Sequence, residues 1–126
     1  MEQNLYIPGD LVMLATKVYK VEGFRDNFMC DDCYRLVSIN DKGHVIAKAK
    51  DIVPLKLSSE ILEKNGFEKG DGFHYSDPYS HSIYIERLSR IDFGVYYQHY
   101  LLRRIRSVHQ LQHLLFGLGL DSNMIV

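Results

Sequence analysis

Two short helices, each with its own start and stop signals, constrain this fold more than anything else in the chain. In Ser107–Leu120, SVHQLQHLLFGLGL, the residues Val108, Leu111, Leu114, Leu115 and Leu118 recur at steps of three and four. That is the spacing of one buried helical face. Ser107 and Gln110 have capping-box spacing, and Gly117 and Gly119 fray the far end into a loose tail, Asp121–Val126. In Leu55–Phe67, LKLSSEILEKNGF, Ser58 is positioned to cap the first turn, with Leu57 and Leu62 at the staple positions around it. Asn65-Gly66 ends that helix, Gly66 taking the left-handed conformation. Helices this short are marginal alone in water, so both need a sheet to pack against.

The rest of the chain supplies strands. Pro8-Gly9-Asp10 is a turn, Leu11–Val21 is a β-prone stretch, and residues 22–33 read as a loop. Tyr34–Ile39 and His44–Ala49 flank Asn40-Asp41-Lys42-Gly43, where Gly43 can supply the positive φ of a hairpin, and Asp51–Pro54 closes the set. Residues 68–81 form a loop or irregular edge, and Ser82–Leu88 and Val95–Arg106 form an antiparallel pair around Asp92-Phe93-Gly94. The expected class is α+β: a small curled antiparallel sheet, SH3-like, then a helix, a strand pair and a C-terminal helix. The division is a β module over 1–57 and an αββα module over 58–126, joined as one cooperative unit.

Composition narrows the function. With 15 Lys and Arg against 16 Asp and Glu, the net charge of −1 gives no basic excess for nucleic acid, which is not expected as a partner. No apolar run reaches the roughly 18 residues of a membrane span, and MEQNLYIPGD lacks a signal-peptide core, so a cytoplasmic protein is expected. Cys30 and Cys33 fit a reducing compartment and make no disulfide framework.

PLKLSSEILEKNGF resembles a PLTEEILLKNGF-type segment, and SVHQLQHLLFGLGL resembles a VHQLQNLYFALTG-type ending. Both belong to small uncharacterised proteins encoded by phages and prophage-like elements of gut bacteria. Gly9-Asp10-Leu11-Val12 matches the GN-V or GD-V turn that opens their β module. The resemblance implies a phage accessory protein acting in the host cytoplasm, and it brings no catalytic residues with it.

Reactive chemistry finds little support. Cys30-Asp31-Asp32-Cys33 has knuckle spacing but no second CxxC, and the two acids oppose thiolate formation, so loop cysteines without a chemical role are expected. His109 and His113 are four apart on the last helix without the Glu of HExxH, and are read as solvated or hydrogen-bonded rather than as metal ligands. Asp71, Asp77, Glu86 and Asp92 form no evident acid/base couple. Ser76, Ser80 and Ser82 near His74 and His81 lack a nucleophile elbow, and Gly70-Asp71-Gly72 is a turn, not a phosphate loop. No enzyme activity, cofactor or metal is expected.

Charge segregation is the stronger signal. Residues 82–113 hold five arginines against Glu86 and Asp92, while residues 58–81 hold two lysines against five acids. Read as one strand, Val95–Arg106 puts Tyr97, His99, Leu101, Arg103 and Ile105 on one face and Tyr96, Gln98, Tyr100, Leu102, Arg104 and Arg106 on the other. The second set mixes phenol rings with guanidinium forks, the chemistry that stacks a base and grips a phosphate. The candidate ligand-binding residues are Tyr96, Tyr100, Arg103, Arg104 and Arg106, with pairing to Glu60, Glu63 or Glu86 as the competing structural role. The leading expectation is a non-catalytic binder that sequesters a small anionic ligand such as a nucleotide immune signal, in counter-defence. The alternatives are an adapter on a host or phage protein and, behind it, a single-stranded nucleic-acid binder. Self-association into a homo-oligomer is also expected.

Overall fold

Alternating burial along the described part of the first fifty residues builds an antiparallel sheet. The computed structural model describes residues 6–27, 30–70, 74–76 and 83–126, with the side chains of 24–27, 30, 31 and 74 outside that description. Five strands, β1 (Leu11–Leu14), β2 (Lys17–Asn27), β3 (Cys30–Ser38), β4 (His44–Lys48) and β5 (Ile52–Pro54), pair antiparallel in the order β4-β3-β2-β1-β5. A 3-10 turn, Ala49–Asp51, leads into β5, which returns beside β1. Val12, Val21, Tyr34, Leu36, Ala47 and Ile52 fill the inner face with Tyr6. Leu11 points the other way, into the second core.

The second half is a further antiparallel sheet with a helix at each end. Helix α1 (Ser59–Lys64) precedes β6 (Glu68–Lys69), β7 (His74–Ser76), β8 (Ile83–Arg87), β9 (Phe93–Tyr97) and β10 (Tyr100–Ile105), and helix α2 (Val108–Gly117) follows them. The sheet order is β10-β9-β8-β7-β6. Tyr75, Ile83, Ile85, Phe93, Val95 and Ile105 face α1 and α2, whose Leu62, Val108, Leu111 and Leu115 complete this core. Leu114 is half-buried and Leu118 is exposed, so the buried stripe of α2 is narrower than the leucine spacing suggests.

The helix signals act where expected. Ser58 Oγ accepts from the Ile61 amide at 3.2 Å, and Gly66 has φ +89°. Gln110 Oε1 accepts from the Ser107 amide at 3.2 Å and from the Arg106 amide at 2.7 Å.

The sheets hold more strands than the sequence suggested, and the differences share a cause. Leu11–Val21 is two strands, folded back at Ala15-Thr16 with Ala15 at φ +56°. Val95–Arg106 is likewise two, folded at Gln98-His99 with φ of +49° and +75°. Neither dipeptide contains the Gly, Asn or Asp that usually marks a primed hairpin turn. Here the pairing of the flanking strands imposes the left-handed backbone. In the β3–β4 hairpin it is Lys42, at φ +62°, and not Gly43, that takes the positive φ. Residues 22–33, read as a loop, carry the end of β2 and the start of β3 instead, and of the loop or irregular edge expected at 68–81 the described part forms β6 and β7 at the edge of the second sheet. The described part of that stretch excludes 71–73 and 77–82, so Asp71, Asp77, Ser80, His81 and Ser82 lie outside the described residues.

Cys33 is also corrected. It lies fully buried on β3 and is disulfide-bonded, so it is not a loop thiol, and the cysteines no longer argue for a reducing compartment. The C-terminal tail forms no helix or strand, yet it is not loose. Asn65 Nδ2 donates to the Ile125 carbonyl at 2.7 Å, and Asn65 Oδ1 accepts from the Ile125 amide at 2.8 Å.

A left-handed backbone costs a non-glycine residue about 1–2 kcal/mol. Replacing Gln98-His99 by Asn-Gly is therefore expected to stabilise the fold by about 1 kcal/mol, read as a higher urea midpoint at unchanged slope. No gain would mean that the turn carries no such strain.

Candidate functional site

The β9–β10 hairpin decides which side chains share a surface. Register pairs Tyr100 with Tyr97, Leu101 with Tyr96, Arg103 with Val95, and Arg104 with Gly94. Paired residues share a face, so the turn at 98–99 puts Tyr100 opposite to Tyr96, against the single-strand alternation. A bulge between Leu101 and Arg103 then inserts Leu102 and shifts the parity once more, which returns Arg104 to the face of Tyr96.

That face is the outer one of the second sheet. Tyr84 and Tyr96 stack across β8 and β9 with ring centres 4.8 Å apart and planes within 4°. Gly94 lies beside them, and its missing side chain is what makes room. A Cβ there would stand 3.1 Å from Leu101, 3.1 Å from Tyr96 and 3.2 Å from Leu88. Three apolar side chains thus converge over bare backbone, and Leu88 and Leu101 remain 37% and 47% exposed. Glu86, paired with Gly94 on its other side, brings its carboxylate near Tyr96. The Tyr96 phenol is held above its ordinary pKa by burial, by the Glu86 carboxylate and by Tyr84, with Arg104 acting in the opposite sense.

The five residues singled out from the sequence therefore divide. Tyr96 and Arg104 share the outer face. Tyr100, 76% exposed, and Arg103 stand on the other side of the hairpin. Arg106 lies beyond the strand, its Nε donating to Asp92 Oδ1 at 2.6 Å, and its backbone carbonyl accepts from Leu57. It has the structural role. Arg103 and Arg104 form no ion pair among the described residues, so the competing role in salt bridges does not account for them. Tyr84, Leu88, Gly94 and Leu101 were not singled out. Alternation along SIYIERL could have placed Tyr84 and Glu86 together, but nothing local reveals that Gly94 lets Leu88 and Leu101 meet.

The histidines of α2 belong to a buried polar junction. His113 Nε2 lies 2.8 and 3.0 Å from the two Asp10 carboxylate oxygens, and His109 Nδ1 lies 3.1 Å from Ser107 Oγ. His109 is buried and hydrogen-bonded, the second of the two alternatives read from the sequence, and its ring meets Tyr6 edge-on at 5.0 Å. Burial raises the Asp10 carboxyl above its usual pKa, outweighing the hydrogen bonds from the Ile7 amide and His113. Burial, then His113 and Arg103, push His109 down to about 4. Ser107 is buried with it, so this pair has no access to a substrate.

No described helix is long and apolar enough to cross a membrane. Comparison with protein-family models, with characterised proteins and with solved structures finds no match to this chain.

His109 is neutral in the fold but charges near 6.5 when unfolded, so it withdraws stability as the pH falls from 6.5 towards 4. Asp10 works in the other direction, because its raised pKa favours the fold on acidification. Urea midpoints between pH 7 and 5 are expected to fall less steeply in His109→Gln than in the unaltered protein; equal slopes would remove His109 as the cause.

Proposed function

We propose that this protein is a non-catalytic docking module whose outer sheet face binds a partner protein. The observation that carries the reading is the convergence of Leu88, Tyr96 and Leu101 over Gly94, left open to solvent and edged by Arg104. An apolar centre with a charged rim is how recognition patches are built. Arg104, on this face, has no acidic partner among the described residues, whereas Arg106 is paired with Asp92. The fitting occupant is a segment with apolar side chains followed by acids. The likeness of the two helical motifs to phage-encoded proteins supports an accessory role in the host cytoplasm, on a host or phage protein. The order β5-β1-β2-β3-β4, with a 3-10 turn before β5, supports describing the first sheet as SH3-like.

A second reading retains capture of a small anionic ligand, favoured by the Arg104 guanidinium, which has no ion pair among the described residues, and by the Tyr84–Tyr96 stack on the same face. The two readings separate by experiment. Leu101→Asp with Leu88→Asp is expected to abolish co-purification of a partner protein by at least tenfold, while Ile46→Asp, exposed on β4 of the other sheet, leaves it intact. Equal loss from both would discard the face. Light scattering shows whether the partner is a second copy of the chain, the expected homo-oligomer. Calorimetric titration with nucleotides tests the anion reading, which requires Arg104→Ala to reduce heat and affinity; silence across the panel removes it.

A further inference from the structure

We propose that a cleft between the C-terminal tail and the face of the first sheet that carries Leu11, Lys20 and Val37 binds a small amphipathic anion: an apolar body carrying a carboxylate, sulfonate or phosphate head. The cleft measures about 380 Å³, within the range of small-molecule sites, roughly 300–1,000 Å³. Its apolar lining comes from Leu11 and Val37 on the sheet and from Met124 and Ile125 on the tail. Lys20 on β2 and Lys42 on the β3–β4 turn are the charged side chains of its lining, Val126 lines it beside Ile125, and no acidic side chain does among the described residues.

The charge pattern selects the ligand. Lys17, nearby in sequence, is bound to Asp41 at 3.1 Å. Lys20 and Lys42 have no such partner among the described residues. Strand register explains the contrast: Lys20 is paired between Leu11 and Val37, so its stem runs over the apolar floor and its charge stands at the rim. A cation or an uncharged ligand would leave both ammonium groups unmet, whereas an anionic head would meet them.

The tail wall is built rather than incidental. Asn65 clamps both backbone groups of Ile125, and Gln112 Nε2 donates to the Ser122 carbonyl at 3.1 Å. The apolar wall is thus fixed from two helices before any ligand arrives, which lowers the ordering cost of binding. None of these residues belongs to the β9–β10 hairpin, so loss of the docking reading leaves this one standing.

The test uses a matched pair of fluorescent probes on the whole chain at pH 7: 8-anilinonaphthalene-1-sulfonate and its uncharged counterpart N-phenyl-1-naphthylamine. The sulfonate is expected to bind one to one, at least tenfold tighter than the neutral probe. Lys20→Gln with Lys42→Gln should lower sulfonate affinity at least tenfold and leave the neutral probe unchanged. Ile125→Glu should weaken both. Circular dichroism melts establish that each variant is folded. No sulfonate binding, equal affinity for the two probes, or sulfonate affinity indifferent to the lysine substitutions would each overturn the proposal.

Discussion

Gln112 holds together parts of the chain that lie far apart in sequence. Its Oε1 accepts from the Leu11 amide at 2.9 Å, while its Nε2 donates to the Gly9 carbonyl at 2.9 Å and to the Ser122 carbonyl. One buried amide therefore fixes the start of β1 and the tail against α2. Next to it, His113 meets Asp10, and Asp10 also accepts from the Ile7 amide at 2.9 Å. Buried polar groups are costly unless every one is satisfied, about 1–3 kcal/mol for each that is not. A geometry that satisfies all of these at once admits few alternatives, so the junction sets how the first sheet meets the second core. Backbone bonds from Leu57 to Arg106 and from Val108 to Leu55 secure the same joint from the other side.

From that anchoring follow the two open surfaces. Because α1 and α2 cover only the inner face of the second sheet, the outer face keeps its aromatic stack and its apolar cluster exposed. Because the tail is clamped by Asn65 and Gln112, it stands off the first sheet as a wall instead of collapsing on it. The charge segregation along the sequence is real but is spent unevenly in space. Arg106 is absorbed by Asp92 and helps seat the strand before α2, an exposed pair worth at most about 1 kcal/mol. Arg103 and Arg104 remain available at the hairpin, and Lys20 and Lys42 at the cleft.

The hairpin shows why the candidate site was only half legible. Alternation along Val95–Arg106 assumed one unbroken strand, and both interruptions escape local reading. Gln98-His99 has no turn chemistry of its own, and the bulge at Leu102 exists only because two strands must pair over their whole length. The two errors in parity cancel for Arg104 and do not cancel for Tyr100. Cys33 is a related case: a CxxC spacing says nothing about whether the second cysteine lies in a loop or on a buried strand.

The sequence by itself determined both helices, their caps, the left-handed Gly66, the turn before β1 and the α+β class. These depend on interactions among residues a few positions apart, whose patterns survive in a linear string. Tertiary structure alone decided the number of strands, the face each side chain occupies, the burial of His109 and the partners of Gln112 and Asp10. Pairing register and buried hydrogen bonds join residues as many as 103 positions apart. Their energies depend on what stands across the interface, and no local pattern encodes that.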